Sequence, residues 1–212
     1  MLTTLLYAFL ALDQTIAHLA ALYGPWFYAI LALVIFAETG LVVFPFLPGD
    51  SVLFLAGTVV AAAGINVHIL AVVLAVAAIA GDSVNYAIGR YIGPKVFERP
   101  DSRWLRKEHL LRTQRFYDRY GGVTIIIGRF VPIIRTFAPF LAGVAGMPYP
   151  RFLSYNIIGG VLWIASLLYA GYLFGNIPWV KANLSLIVVG IVVVSLIPAV
   201  VTFARERGRP HE

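Results

Sequence analysis

Four charged residues stand where an apolar chain can least accommodate them. Arg129 and Arg135 lie in "IIIGRFVPIIRTFAPFLAGVAGM" (125–147), and Glu38 and Asp50 lie in "FAETGLVVFPFLPGDSVLF" (36–54). Both stretches are broken by prolines, Pro132 and Pro139 in one and Pro45 and Pro48 in the other. An arginine stays charged and offers a planar fork of donors that fits a carboxylate or a phosphate. A glutamate in low-dielectric surroundings either pairs with a cation or takes up and releases protons. The two stretches therefore read as partners, two acids facing two arginines. Ionisable residues at membrane depth are candidates for function by default. The plainer alternative is an assembly device, ion pairs that only lock two segments together, although an apolar lock would cost less. Asp50, in "LPGDS", has a further ordinary reading as a helix N-cap.

A second polar patch occupies "AGDSVNYAIGR", where Asp82 is accompanied by Ser83, Asn85 and Tyr86. Tyr155 and Asn156 in "SYNIIGG" take the comparable place in a later apolar segment. Asp82 could sit beside an arginine or belong to a hydrogen-bond network between helices. Gly159 and Gly160 suit close helix packing. His18 and His68 read as satisfied interfacial residues. No cluster has metal-ligand spacing, and with no cysteine there is no disulfide, thiolate site or thiol nucleophile.

The elements that must position these groups are membrane helices. Of the 212 residues, 60% are hydrophobic and 12% charged, and the mean hydropathy is +0.87. A soluble domain is roughly half apolar and about a quarter charged. Met1 is not followed by a basic n-region, so the first residues are expected to stay in place. The net charge of +6 gathers in "RYIGPKVFERPDSRWLRKEHLLRTQRFYDR" (90–119), which holds nine Lys/Arg against four acids. A short basic loop between apolar segments belongs in the cytoplasm and near anionic headgroups. It has no pattern of a nucleic-acid binder.

The segments then fix a topology. Residues 66–89, 152–174 and 184–204 are each long enough to span, and 1–22 forms an N-terminal helix. With the basic loop and the basic tail inside, the stretch 121–147 begins and ends on the cytoplasmic side. It must dip in and return, as a re-entrant hairpin. Its freed carbonyls need partners, which protein or a water-filled cavity supplies. The stretch 26–63 has the same form: an apolar run, the break "FPFLPGD", a second apolar run, then a span. The chain is thus predicted to be an all-α polytopic membrane protein of one domain (1–212). It would hold two inverted repeats, each a re-entrant hairpin plus a transmembrane helix, with an N-terminal helix and a C-terminal transmembrane helix. Paired, proline-interrupted segments in corresponding positions point to a transporter site where the hairpin tips meet.

The motifs "FAETGLVVFPFLPGDSVLFLAG" (36–57), "GDSVNYAIGR" (81–90), "GRFVPIIRTFAPFLAGVAGM" (128–147) and "YNIIGGVLW" (155–163) resemble those of the DedA family, also called the VTT or SNARE-associated family. The resemblance covers nearly the whole chain. It implies a bacterial inner-membrane protein with two facing re-entrant loops. It also implies a role in envelope homeostasis, proton-dependent tolerance or lipid-carrier recycling. The family's essential acids fall on Glu38 and Asp50, and its essential arginines on Arg129 and Arg135.

Together these readings predict a transporter that flips a phosphate-headed lipid, undecaprenyl phosphate foremost, across the bacterial cytoplasmic membrane. Arg129 and Arg135 would bind the phosphate, Glu38 and Asp50 would pair with them and couple protons, and Asp82, Tyr86 and Asn156 would form a secondary polar site. The alternative is a proton-coupled antiporter of small cations or drugs. No enzymatic activity, cofactor, metal or nucleic acid is expected. The expected partners are the lipid, membrane phospholipids and protons, and aliphatic faces on every span are compatible with a homodimer.

Overall fold

Backbone N–H and C=O groups in an apolar medium must be satisfied within the chain, and a helix does this segment by segment. In a computed structural model, which describes residues 25–40, 49–97, 122–175 and 177–183 together with Gly190, every regular element is an α-helix. In order they are α1 (Pro25–Gly40), α2 (Gly49–Ala63), α3 (Val67–Phe97), α4 (Val123–Gly128), α5 (Pro132–Val144), α6 (Tyr149–Phe174) and α7 (Pro178–Ala182). The expected N-terminal helix (1–22), the "FPFLP" break, most of the basic loop and the expected span 184–204 lie outside the described residues.

Among the described residues two helices are long and apolar enough to cross a membrane, Val67–Gly93 within α3 and Tyr149–Phe174. At ~1.5 Å per residue each exceeds a hydrocarbon core of ~30 Å. Large apolar side chains stay exposed along both, Val72 and Val76 on one and Leu162 and Leu173 on the other. A surface of that kind suits lipid better than water. Both halves of the chain place two shorter helices before a long one.

The helix boundaries have local causes. Asn66 caps α3, its Oδ1 accepting the backbone N–H of His68 at 2.9 Å and of Ile69 at 3.3 Å. Gly64, with φ +66°, ends α2 in the left-handed conformation that glycine adopts without strain. Where the sequence predicts the end of a span at 89, α3 continues to Phe97. The basic character of this stretch does not oppose helix, and Gly93 packs against the Val144 backbone of α5.

The chain divides into two compact units. The first holds the start of α1, α2, the start of α3, the end of α6, and α7. In it α2 and α6 approach through glycines: a Cβ on Gly57 would meet the Leu168 carbonyl, and one on Gly171 the Phe54 carbonyl. Thr58 Oγ1 donates to the Gly171 carbonyl at 3.3 Å. His68 and the Tyr169 hydroxyl are hydrogen-bonded at 2.6 Å.

The second unit holds the end of α1, most of α3, α4, α5 and the start of α6. Its core gathers Tyr86, Ile125, Ala142, Met147 and Phe152. Gly89, Gly93 and Gly143 let α3 and α5 touch backbone to backbone, the small-residue packing that membrane helices use. A Cβ on Gly143 would run into the Tyr86 carbonyl. Gly143→Leu is therefore expected to lower stability by about 1–3 kcal/mol through overpacking, read as a lower unfolding midpoint of the purified protein in detergent. An unchanged midpoint would mean that the two backbones do not meet there.

Candidate functional site

The second unit assembles its polar residues at two helix crossings and one turn. At the first crossing, Gly40 of α1 and Gly81 of α3 lie face to face, and a Cβ on Gly40 would stand 3.3 Å from the Gly81 Cα. The sequences "ETG" and "AGDS" thereby bring Glu38 and Asp82 into one unit from helices more than forty residues apart. Asn85, one turn beyond Asp82, ties the two helices to α5. Its Nδ2 donates to the Thr39 carbonyl at 3.3 Å and to the Thr136 carbonyl at 2.8 Å.

The turn between α4 and α5 comes from Pro132. A residue before proline is pushed towards extended backbone, and Val131 is at φ −121°, ψ 109°. Pro132 then opens α5 at its first turn, where its missing N–H costs nothing. Arg129 sits in the turn and Arg135 in the first turn of α5, so both side chains enter the same interior. Pro139 does not break the chain as its sequence context suggests; it lies inside α5. Membrane helices tolerate this when neighbouring helices pack against the interrupted turn, and Asn85 of α3 donates to the Thr136 carbonyl in that turn.

Each arginine has its own carboxylate. Arg135 Nη2 is paired with Glu38 Oε1, and Arg129 Nη2 with Asp82 Oδ2. The same Arg129 nitrogen donates to Asn156 Oδ1, whose Nδ2 in turn donates to the Ile79 carbonyl at 3.0 Å. All five side chains are buried. Burial at this depth makes a charge pair obligatory for either member, since an isolated ion there is far more costly than an ion pair. Below both guanidiniums lies Trp163, fully buried, with its ring centre 4.7 Å from Arg135 Cζ and 5.9 Å from Arg129 Cζ. Such distances suit cation–π attraction. The spacing of Asn156, Gly159, Gly160 and Trp163 puts them on one helical face, a signal that the sequence carries and that the search for ionisable residues passes over.

The remaining candidate residues are placed elsewhere. Asp50 lies in the first turn of α2, within the first unit, where a helix N-terminus favours negative charge. Tyr86 shares α3 with Asp82 but turns its hydroxyl to the Met147 carbonyl and stacks its ring on Phe152, the centroids 4.4 Å apart. Arg90 Nη1 donates to the same hydroxyl at 3.1 Å. Tyr86 thus holds the α5–α6 connection against α3. Tyr86→Phe is expected to cost about 1 kcal/mol of stability and to leave any transport unchanged at a temperature where the protein is folded; a loss of transport would place this hydroxyl in the site. Among the described residues no group of three or more His, Cys, Asp or Glu gathers as a metal site would require.

Comparison with known proteins bears on the same segments. The family model of the VTT domain matches residues 47–173. Protein DedA of Escherichia coli K12 is 52% identical over 200 residues, covering 93% of this chain and 91% of that protein. The inner membrane protein YqjA of the same organism is 35% identical, covering 84% and 80%, and the inner membrane protein YghB is 33% identical, covering 77% of each. No solved structure matches this chain.

Proposed function

Because this chain belongs to the DedA family of membrane proteins, we propose that it carries a phosphate-headed lipid, undecaprenyl phosphate foremost, across the bacterial cytoplasmic membrane. The observation that carries this reading is the pair of buried guanidiniums, Arg129 and Arg135, over the single indole of Trp163. Two permanent cations together are repelled by each other and attracted by a doubly charged headgroup, and the fork of an arginine fits phosphate oxygens. The N-terminus of α5, which opens between them, adds its own preference for an anion.

In the cycle proposed, the arginines rest on carboxylates until a phosphate arrives and takes their place. A displaced carboxylate takes up a proton, which couples transport to the proton gradient; Glu38 and Asp50, both on the first proline-broken segment, are the candidates. The segments 26–63 and 121–147 act as inverted, facing re-entrant hairpins, so that the headgroup crosses between their tips while the isoprenyl tail stays in lipid. The chain works as a carrier and makes or breaks no covalent bond. The names of YqjA and YghB as inner membrane proteins support the location.

Translocation of undecaprenyl phosphate in proteoliposomes tests this, with wild type and Arg135→Ala compared at two pH gradients. Flipping that requires the arginine and responds to the gradient is the expected result. Flipping unaffected by Arg135→Ala would overturn the proposal. Proton flux driven by a soluble cation with no lipid substrate would favour the antiporter, with the acids as its binding site.

A further inference from the structure

Arg129 is an arginine used at one nitrogen. Its Nη2 serves both Asp82 and Asn156, while its Nε and Nη1, one on each side, have no hydrogen-bond partner among the described residues. Asp82 likewise uses Oδ2 and leaves Oδ1 without a partner, and Asn85, one turn along α3, leaves its Oδ1 the same way. These atoms are inaccessible to water from outside: Arg129 is 2% exposed, Asp82 1% and Asn85 0%. A buried ion pair is stable when its remaining donors and lone pairs are satisfied. Here donors and acceptors lie unfilled in the same few residues, and the pair is single-pronged where a carboxylate and a guanidinium can form a double one.

The neighbouring helix presents only backbone to these donors, packed closely against them. Nε and Nη1 of Arg129 face α6 at Gly159 and Gly160, where there is no side chain. A Cβ on Gly159 would stand 3.5 Å from Nε, and one on Gly160 3.5 Å from Nη1. Any other residue at these positions would cover the vacant donors. The arrangement leaves two N–H groups for an incoming oxygen and a carboxylate held through one oxygen only.

We propose that Asp82 is the proton carrier of this site: a phosphate oxygen binds at the vacant Nε–H or Nη1–H of Arg129 and displaces Asp82, which takes one proton from solution. The proposal rests on the anion-binding reading above and assigns the coupling to a residue other than Glu38 and Asp50. When the phosphate leaves, the proton returns to solution and the Asp82–Arg129 pair closes again. A carboxylate stripped of its cation in a dry interior neutralises in place of staying charged. The charged groups whose fields reach Asp82 are Arg129, from the α4–α5 turn, and Arg135, from α5. The second of these is held by Glu38 of α1, and α6 contributes the neutral Asn156. Glu38 thus remains occupied with Arg135 while Asp82 is released.

The test counts protons. Purified full-length protein in detergent is titrated calorimetrically with a short-chain isoprenyl monophosphate, and separately with inorganic phosphate, in two buffers of different ionisation enthalpy. About pH 8 is suitable, above the second phosphate pKa of ~6. Wild type and Asp82→Glu are expected to take up about one proton per phosphate bound, and Asp82→Asn to bind with none. Infrared difference spectra of wild type should show a protonated carboxyl band on adding phosphate, a reading that does not depend on any variant folding. Binding by wild type without proton uptake or that band would overturn the role of Asp82 and leave the anion site standing. Uptake that survives in Asp82→Asn and vanishes in Glu38→Gln would overturn it equally. Absence of binding by wild type to either phosphate would overturn both the site and the role. Binding of the isoprenyl compound alone identifies the lipid headgroup as the source of the anion, whereas equal binding of both identifies free phosphate as a ligand.

Discussion

Asp82→Ala is expected to destabilise the protein by about 3–5 kcal/mol, because it strands a buried guanidinium that pairs with no other carboxylate among the described residues. This is the cost of breaking a buried pair, and it differs from the worth of the pair itself. Replacing both members by apolar residues of similar volume is often neutral or stabilising. The double variant Asp82→Ala, Arg129→Met should therefore recover much of the loss, while remaining inactive. Equilibrium unfolding in mixed detergent, followed by helical signal, gives the comparison. If the single and double variants unfold alike, the two residues are not coupled, and the ion pair between them is not the one that matters.

Arg135 should show the opposite sensitivity, to shape more than to charge. Its guanidinium lies between the Glu38 carboxylate and the face of Trp163. Lysine keeps the charge and loses both the planar fork and the stacking surface. A charge-assisted hydrogen bond contributes about 1.5–3 kcal/mol, so Arg135→Lys is expected to lower flipping in proteoliposomes by roughly tenfold to a hundredfold. Arg135→Ala should abolish it within detection and also weaken folding, since Glu38 would lose its cation. Lysine that restores full rate would reduce the role of Arg135 to a point charge, and would remove the case for phosphate recognition by its fork.

The sequence carries the apolar segments in plain sight, because length and composition alone set a span: 66–89 and 152–174 correspond to the long helices α3 and α6. It also carries the turn at Pro132, because proline constrains its predecessor wherever it occurs. Pro139 misleads for a related reason. Whether proline ends a helix depends on what packs against the interrupted turn, and Asn85, which donates to the Thr136 carbonyl in that turn, is some fifty residues away in the chain. The partner of Arg129 is hidden in the same way. Sequence spacing allows Asp82 either an arginine or a helix–helix network, and the structure supplies both through Asn156. That choice is made by the glycine crossing of α1 and α3 and by the glycine pair of α6, which read in the sequence as packing residues with no hint of what they pack against. Trp163 is similarly silent: an indole in the middle of an apolar run looks like any lipid-facing aromatic until two cations are found above it.

The indole beneath those cations has a use apart from recognition. Its emission energy depends on the electric field along the ring, and here the field is set by two guanidiniums within 6 Å. Of the other tryptophans, Trp26 and Trp179 are exposed and can be exchanged for phenylalanine together with Trp104. What remains is a single chromophore whose colour reports the charge state above it. The protein contains its own electrometer, and the arrival of a dianion at the arginines can be followed as a spectral shift with no added label.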